Sequence, residues 1–531
     1  MDTYRGSVSW PGQWAEHHFG SVDLKDQRLN RRVVQVAAAM AGDAAASIPA
    51  QQGTWKATKA AYRMFDQPAA TFPSLCAGHW QQTRALARRC AAVVLLIQDT
   101  TWLDFGSHPA TQGLGWCLGG QSKTGDYGLF LHSVLAVTPP SPQQNHARVL
   151  GLMHAKLWAR QGEAIGRGKG CGGKRRRRRK STPSESLRWS QAVEQVASPP
   201  ESESGRVRWI HVGDREADIF QLYRTTAALA GVGFVIRVKQ NRTVSQGHGP
   251  PQGTRSLQMG LKDLARGLKA KTRIPLPIPA RERRRAGQAE LSVGFCPVTL
   301  DPPARRGQAE VSSSLGCCSV RCWCVRVWEK KPPPGEEAIE WILLSSEPVH
   351  TIEQALTITG WYTQRWLIEE YHQCLKTGCQ VEQRQLQTME RLSAVIGMLA
   401  VAAVRLLQMK SDARVPGEHS PQSCGVRRCF GSDTCPTQEH RRPANNDAAV
   451  HARGGLPRRL SSAQERRRAG LENPMERVEQ TVADPPRLSP GHQSQSNLWV
   501  TIRPRRSAAE PTDSALVHKS LFFENRSKIP A

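Results

Sequence analysis

The sequence predicts an α/β layer fold, preceded by a small helical unit and followed by a tail with no core of its own. Three observations carry this. Between residues 93 and 238 the chain runs three apolar strands, a helix, a strand, a helix and a strand. Helical periodicity dominates before residue 78 and returns from 352 to 409. Beyond 411 apolar residues become sparse: only 12 of the 88 residues in 411–498 are Val, Ile, Leu, Met or Phe, and Phe430 is the sole aromatic. Such a segment is too poor in apolar side chains to offset its chain entropy by burial.

The elements follow in order. Trp14, Leu24, Leu29, Val33, Val36, Ala37 and Met40 recur at helical spacing, with Arg28 and Arg32 among them. Trp55 to Phe65 repeats the pattern, with Lys56, Lys59 and Arg63 interleaved with Tyr62 and Phe65. A basic helical unit of this kind suits a DNA reader and a solvated charged face equally well. Val93 to Ile97 is an apolar run that ends in Gln98-Asp99-Thr100-Thr101, and Leu129 to Val137 and Val149 to Met153 read as its neighbours. Ser186 to Val196 reads as a helix. Arg208 to Val212 is a strand ending in Gly213-Asp214, with a second helix after it, and Gly233 to Val238 is a strand followed by Lys239.

Residues 241–335 interrupt this order with Pro-rich turns, the cluster Arg281, Arg283, Arg284, Arg285, and alternating strands such as Val320 to Trp328. Four cysteines crowd there: Cys317, Cys318, Cys322 and Cys324. Cys318, Val320, Cys322 and Cys324 fall at every second position, which favours a buried strand face over a zinc site with its paired hooks. Trp341 to Ser346 is a strand again. Ile352 to Lys376 and Met389 to Met409 read as two long helices.

Composition narrows the function. The 531 residues hold enough chain for three to four domains, at 39% hydrophobic and 6% aromatic. No run of about 18 apolar residues argues for a membrane span. No apolar stretch after Met1 and Arg5 argues for secretion, so the 14 cysteines are expected to be reduced thiols of a cytoplasmic protein. Lys and Arg number 73 against 45 Asp and Glu, a net +28 that points to a polyanion, most simply nucleic acid. That charge is uneven. Nine cations and no anion lie in 167–180, within Gly-rich flanks expected to form a flexible loop, and the tail 411–531 carries 17 Arg and 2 Lys against 13 acidic residues.

Asp99 and Asp214 each end an apolar strand. Two carboxylates at one sheet edge repel each other unless a cation lies between them, and all-oxygen ligands favour Mg²⁺ or Mn²⁺. Tyr362, Arg365, Glu369 and Lys376 stand at spacings of 3, 4 and 7, one face of a helix. Glu369 suits a metal and the other three suit phosphates. An ordinary Arg365–Glu369 ion pair on a wet surface accounts for any one pair but not for the whole stripe.

These residues together resemble the insertion-sequence-four family of DDE transposases, best known through the transposase of transposon five. The likeness rests on Ile97-Gln98-Asp99-Thr100-Thr101, on Asp214-Arg215-Glu216-Ala217-Asp218-Ile219, and on Tyr362, Arg365, Glu369 and Lys376 with Gly378 behind them. Asp26-x-Arg28-x-x-x-Arg32 and Lys59-Ala60-Ala61-Tyr62-Arg63-x-Phe65 resemble the family's terminal-repeat-binding domain. The likeness spans about residues 14–410. It implies a helical N-terminal DNA-binding domain (1–78), an RNase H-like core (79–240 with the basic loop 162–182, then 341–411), a β-rich insertion (241–340), and a low-order Arg-rich tail (412–531).

The resemblance also implies cut-and-paste transposition of double-stranded DNA bounded by terminal inverted repeats, by a bacterial, nucleoid-associated homodimer. Asp99, Asp214 and Glu369 would be catalytic and would hold two Mg²⁺ or Mn²⁺ ions. Tyr362, Arg365 and Lys376 would grip phosphates, Arg237 and Lys239 would hold DNA near the active site, and Arg28, Arg32 and Arg63 would bind the ends. Trp341 would stack a flipped base. Gln373 departs from relatives that place a second cation there, and the loop 167–180 exceeds its counterpart in length. After about Arg414 the likeness stops. Codons can be chosen for Gly470 to Glu479 so that a shifted frame reads as the family's Trp-containing C-terminal motif. A frameshifted tail would leave a transposition-defective remnant that only binds terminal repeats, which is the alternative reading.

Overall fold

A computed structural model of the chain describes residues 10–90, 92–116, 127–141, 146–160, 185–199, 207–246, 259–278, 287–302 and 319–414. The basic loop 167–180, the Arg281–Arg285 cluster, Cys317, Cys318 and the tail from 415, with its 470–479 motif, lie outside the described residues.

Five helices open the chain: α1 (Pro11–Phe19), α2 (Gln27–Gly42), α3 (Ile48–Gln52), α4 (Trp55–Phe65) and α5 (Phe72–Arg88). Their starts are written locally. Asp26, Ser47, Thr54 and Thr71 each accept a hydrogen bond from a free N–H of the first turn, and Pro occupies the first turn of α1, α3 and α5. α2 buries Val33, Val36, Ala37 and Met40, the positions its periodicity singles out.

The strands are β1 (Val93–Asp104), β2 (Gly115–Trp116), β3 (Tyr127–Thr138), β4 (Arg148–Trp158), β5 (Arg208–Gly213), β6 (Val232–Arg237), β7 (Thr243–Gln246), β8 (Met259–Gly260), β9 (Thr272–Ile278), β10 (Gly287–Leu300), β11 (Val320–Glu329) and β12 (Glu340–Ser345). They form one mixed sheet. Its first part has the order β4-β3-β1-β5-β6, in which β3 alone runs against the others. β12 then pairs antiparallel with β6, and β11 and β10 continue outward, with β7 and β9 on β10. The β-rich stretch therefore extends the same sheet through the β6–β12 seam.

Alternation along the strands sorts side chains between two faces. Ile97, Ile210, Val212, Val235, Val327, Trp341 and Leu343 share a core with α9 (Ile352–Thr363), α10 (Trp366–Gln373), α11 (Met389–Asp412) and the N-terminal helices. Phe234, Ile236, Val298, Cys322, Cys324 and Leu344 face the other way, against α6 (Arg188–Val196), α7 (Phe220–Ala227) and α8 (Leu261–Arg266). Cys322 and Cys324 are fully buried there beside Val320, as the two-residue alternation predicts, and burial pushes both thiols up.

Three expectations need correction. β1 does not stop at Ile97 but runs on to Asp104, because β3 keeps pairing with it from Leu95↔Val137 to Asp104↔Gly128. The predicted helix 352–376 is broken: three-residue hydrogen bonds at Gln364, Arg365, Leu367 and Ile368 tighten the chain between α9 and α10, and Cys374–Gly378 forms one wide turn after α10. α11 is apolar enough by length and hydropathy to cross a membrane, with a mean hydropathy of 1.9, yet 83% of that stretch is buried in the protein. It is the central core helix, packed against α5, α2, α4 and β4.

The N-terminal helices are fastened to this core by polar contacts as well as apolar ones. Arg384 donates to the carbonyls of Ala44 (2.6 Å) and Ala46 and to that of Cys379 (2.7 Å). Arg391 on α11 pairs with Asp66 (2.8 Å). His79 on α5 sits 3.2 Å from His18 of α1, Nδ1 to Nδ1, and its Nε2 accepts from the Leu152 N–H at 2.9 Å. His79 therefore carries its proton on Nδ1 and donates it to His18. Gly151 makes the approach of α5 to β4 feasible: a Cβ there would lie 2.2 Å from the Thr83 hydroxyl and 3.0 Å from His79 Nε2.

Burial lowers His18 to about 2, His79 and His211 to about 3 and His154 to about 4. A histidine held neutral this way contributes its full stability above its unfolded value near 6.5 and loses it as pH falls toward the folded value. Urea unfolding at pH 8, 6.5 and 5 is expected to show a loss of about 2 kcal/mol per such histidine at pH 5. A stability flat between pH 8 and 5 would contradict the neutral pairing.

Candidate active site

The parallel pairing of β1 with β5 ends at Ile97↔Val212. Two residues further along each strand stand Asp99, still in β1 and paired with Ser133 of β3, and Asp214, just past the end of β5. The Asp99 carboxylate accepts from the Thr100 N–H at 2.7 Å, and that of Asp214 accepts from the Glu216 N–H at 2.8 Å in a tight turn. From the opposite side, the break between α9 and α10 aims Arg365 at Asp99 of β1. Its Nη1 lies 3.8 Å from Asp99 Oδ2, and its Nη2 makes an ion pair with Glu369, one turn along α10.

The charges respond to one another. Burial, then the neighbouring Asp214, pushes Asp99 well above the usual carboxylate range, against the pull of Arg365. Burial also raises Glu369, with Arg365 opposing and Asp214 adding. Arg365, 5% exposed, is held strongly protonated by Tyr362, Glu369, Asp99 and Asp214 against its burial. Arg237, buried at the end of β6, donates to the Glu340 carbonyl at 3.1 Å; burial lowers it to about 10, while Tyr362 and Asp214 pull it up.

The donor chemistry of Asp99, Asp214 and Glu369 fits a hard divalent cation: three carboxylates in mutual repulsion, with no sulfur or imidazole among them. Among the described residues no three such side chains stand close enough to enclose an ion as they are. The Arg365 guanidinium supplies the positive charge between them.

Asp99, Asp214, Glu369, Arg365, Arg237 and Tyr362 thus gather in one place. Other predicted site residues do not join them. Lys376 pairs with Glu382 at 3.0 Å, and Glu382 also accepts from the Asp104 N–H at the far end of β1. The break before α10 and the wide turn after it take Lys376 off the helical stripe. Trp341 is buried, edge-on to Tyr362 with ring centroids 5.4 Å apart, so it presents no open stacking face. Tyr362 is likewise buried. Lys239 is exposed, and Arg28 and Arg63 are exposed on α2 and α4, with Arg32 half-buried.

Two supporting arrangements escaped the sequence reading. Asp218, inside the predicted motif, is fully enclosed and accepts from the Tyr223 hydroxyl (2.7 Å), the N–H groups of Lys239 and Gln240 (2.7 Å each) and Arg242 (2.8 Å), clamping the segment after β6. Behind Asp99, on the other face of β1, a chain of donors runs from Arg188 Nε to Thr100 Oγ1 (2.8 Å), to His132 (2.8 Å), to Gln98 (3.1 Å), to His211 (2.7 Å). Arg188 also grips Glu216 at 2.9 Å. One guanidinium on α6 therefore fixes both carboxylate-bearing segments. Nothing in the one-dimensional pattern marks Arg188, since its partners lie 88 and 28 residues away.

Replacing Arg365 by Ala removes the buried cation and leaves its acidic neighbours uncompensated. Thermal unfolding is expected to show a loss of about 3 kcal/mol at neutral pH, the order for a broken buried pair, with part of it recovered on adding Mn²⁺. An unchanged melting point with no response to Mn²⁺ would count against the shared charge environment.

Two stretches of the chain match known protein families. Residues 11–70 match the transposase DNA-binding family, and residues 211–405 match the transposase DDE domain family. Asp214 and Glu369 fall inside the second match and Asp99 precedes it. Among solved structures the chain is similar to one in the cryo-EM structure of the piggyBac transposase synaptic complex with hairpin DNA, at 12% identity and a TM-score of 0.26, covering 66% of this chain and 59% of that one. The chain therefore spans about three fifths of the length of that relative. The chain thus carries one stretch that matches a transposase DNA-binding domain and a second that matches a transposase DDE domain.

Proposed function

We propose that this protein cuts and rejoins DNA strands at the ends of a transposable element, as a cut-and-paste transposase of the insertion-sequence-four family with an RNase H-like core. The observation that carries this reading is the convergence of Asp99 from β1, Asp214 from the end of β5 and Glu369 from α10 around one buried cation. The strand order β4-β3-β1-β5-β6 with one antiparallel member supports the RNase H-like assignment.

Asp99, Asp214 and Glu369 are the residues that would hold two Mg²⁺ or Mn²⁺ ions. When bound, such ions supply an activated water or 3′-hydroxyl and stabilise the leaving oxygen. The chain's own side chains do the rest. Arg237 stands beside the carboxylates, and Lys239, exposed two residues further on, would offer positive charge to a phosphodiester. The Arg188 chain holds Thr100 and Glu216 still, so the carboxylates between them keep their places. α4 presents Trp55, Lys56, Lys59 and Arg63 to solvent, a face fit for reading the inverted repeat, with Arg28 beside Asp26 at the start of α2. A homodimer would bring two ends together.

A second reading keeps the DNA binding and removes the transposition. The low apolar content of the tail favours it, because a synaptic dimer needs a folded partner surface. Strand cleavage of inverted-repeat DNA with Mn²⁺ separates the two. Wild type should cleave, and Glu369→Ala should lose at least about 100-fold in rate while binding the same DNA. Cleavage that survives the substitution sinks the site assignment. Binding without cleavage by wild type supports the remnant.

A further inference from the structure

On the sheet face turned away from α9 and α10, β9, β11 and the segment after α8 enclose a cleft of about 620 Å³. Among the described residues its lining includes Arg266, Lys269, Lys271, Arg273, Arg326 and Lys330 and no acidic residue, with Glu340 standing behind Arg326. The floor is built. The Arg326 guanidinium lies 4.4 Å from the Trp328 ring, is held by Glu340 at 2.6 Å, and donates to the Arg266 carbonyl at 2.9 Å. Gly294 lets the wall come close: a Cβ there would stand 2.9 Å from the Lys269 carbonyl and 3.4 Å from the Trp328 ring.

The rim is not neutralised. Glu340 reaches Arg266, and Glu290 reaches Arg273, only at 3.4 Å across solvent-exposed pairs. Lys269, Lys271 and Lys330 are exposed and make no ion pair among the described residues, although the Lys271 ammonium rests 3.6 Å from the centre of the Phe295 ring. Like charges packed round a concavity repel one another, and the arrangement is favourable when an anion lies among them. Lysines on a rim are compact point charges suited to phosphates, while a fixed guanidinium on an aromatic floor limits how the anion can enter.

We infer that this cleft binds the phosphodiester backbone of a duplex DNA segment distinct from the one at the carboxylates. The inference rests on the transposase reading, which makes DNA the polyanion at hand. The second segment follows from the strands. At the β11–β12 pair, Trp341 turns toward Tyr362 and the active-site face, while Glu340, its neighbour, turns to Arg326 and the cleft. One straight duplex does not lie on both faces of the same two strands.

The test is fluorescence anisotropy of the full chain with a duplex that lacks terminal repeats, from about 50 to about 200 mM salt. The triple variant Lys269→Gln, Lys271→Gln, Lys330→Gln should bind at least about 10-fold more weakly. Its log–log salt slope should be shallower by about 2.7, the value for three lost phosphate contacts. A control with the same charge loss elsewhere, Arg88→Gln, Arg89→Gln, Arg148→Gln, should change the slope by less than about 1. Equal effects of the two triples overturn the proposal. So does inorganic phosphate at constant ionic strength, if it abolishes the difference between wild type and the cleft variant, because the cleft is then a small-anion site. Single Lys269→Glu, checked for an unchanged melting point, repeats the test where the triple variant misfolds. Loss of this effect leaves the Glu369→Ala result untouched, so the two readings fail separately.

Discussion

Mutual repulsion of carboxylates is the constraint around which the rest of the protein is arranged. Asp99 and Asp214 come together because two parallel strands end their pairing side by side, and Glu369 is delivered to them by a helix from the opposite layer. Left alone, that group would take up protons or push its elements apart. Here the cost is met by a buried guanidinium, and the elements are pinned from behind. The Arg188 chain, the Asp218 clamp and the antiparallel pairing that carries β1 past Asp99 hold the segments together whatever cation stands between the acids.

The same logic explains why the polar interior is neutral wherever it is not paired. His18, His79, His132 and His211 are buried, each with at least one ring nitrogen hydrogen-bonded, and all are held far below the range in which they would charge. They join elements that apolar packing alone would leave free to slide: α1 to α5, α5 to β4, and β1 to β3 and β5. The DNA-binding helices are consequently part of the core. Arg384 and Arg391 add to that union, with donors aimed at carbonyls of the α2–α3 loop and at Asp66. A DNA end gripped by α4 would be held in a fixed relation to α11.

Much of this was legible in one dimension, and the losses have physical causes. Apolar runs located β1, β3, β4, β5 and β6, because buried strands need continuous burial. Cys322 and Cys324 were read correctly as core for the same reason. Asp99, Asp214 and Glu369 were singled out from their positions after apolar runs and on a helix, and the fold brings them to one buried guanidinium. The end of β1 was misplaced because backbone pairing with β3 outlasts side-chain burial. Lys376 was placed on the catalytic stripe because a continuous helix was assumed, and the three-residue hydrogen bonds near Gln364 have no periodic signature. Trp341 was assigned an open face from its likeness to a family position, but Tyr362 covers it. Arg188, Asp218, Arg384 and His79 were missed because each acts through partners remote in sequence.

The division of the sheet into two faces then bears on what kind of machine this is. Strand alternation puts an acidic, cation-requiring site on one face and a cationic, anion-requiring cleft on the other, and β11 and β12 serve both. Glu340 is the hinge of that arrangement: its carbonyl receives Arg237 beside the carboxylates, and its carboxylate holds Arg326 and Arg266 at the cleft. The β-rich extension is thus joined to the layer that carries Asp99 and Asp214 by a shared strand with opposite charge on its two sides.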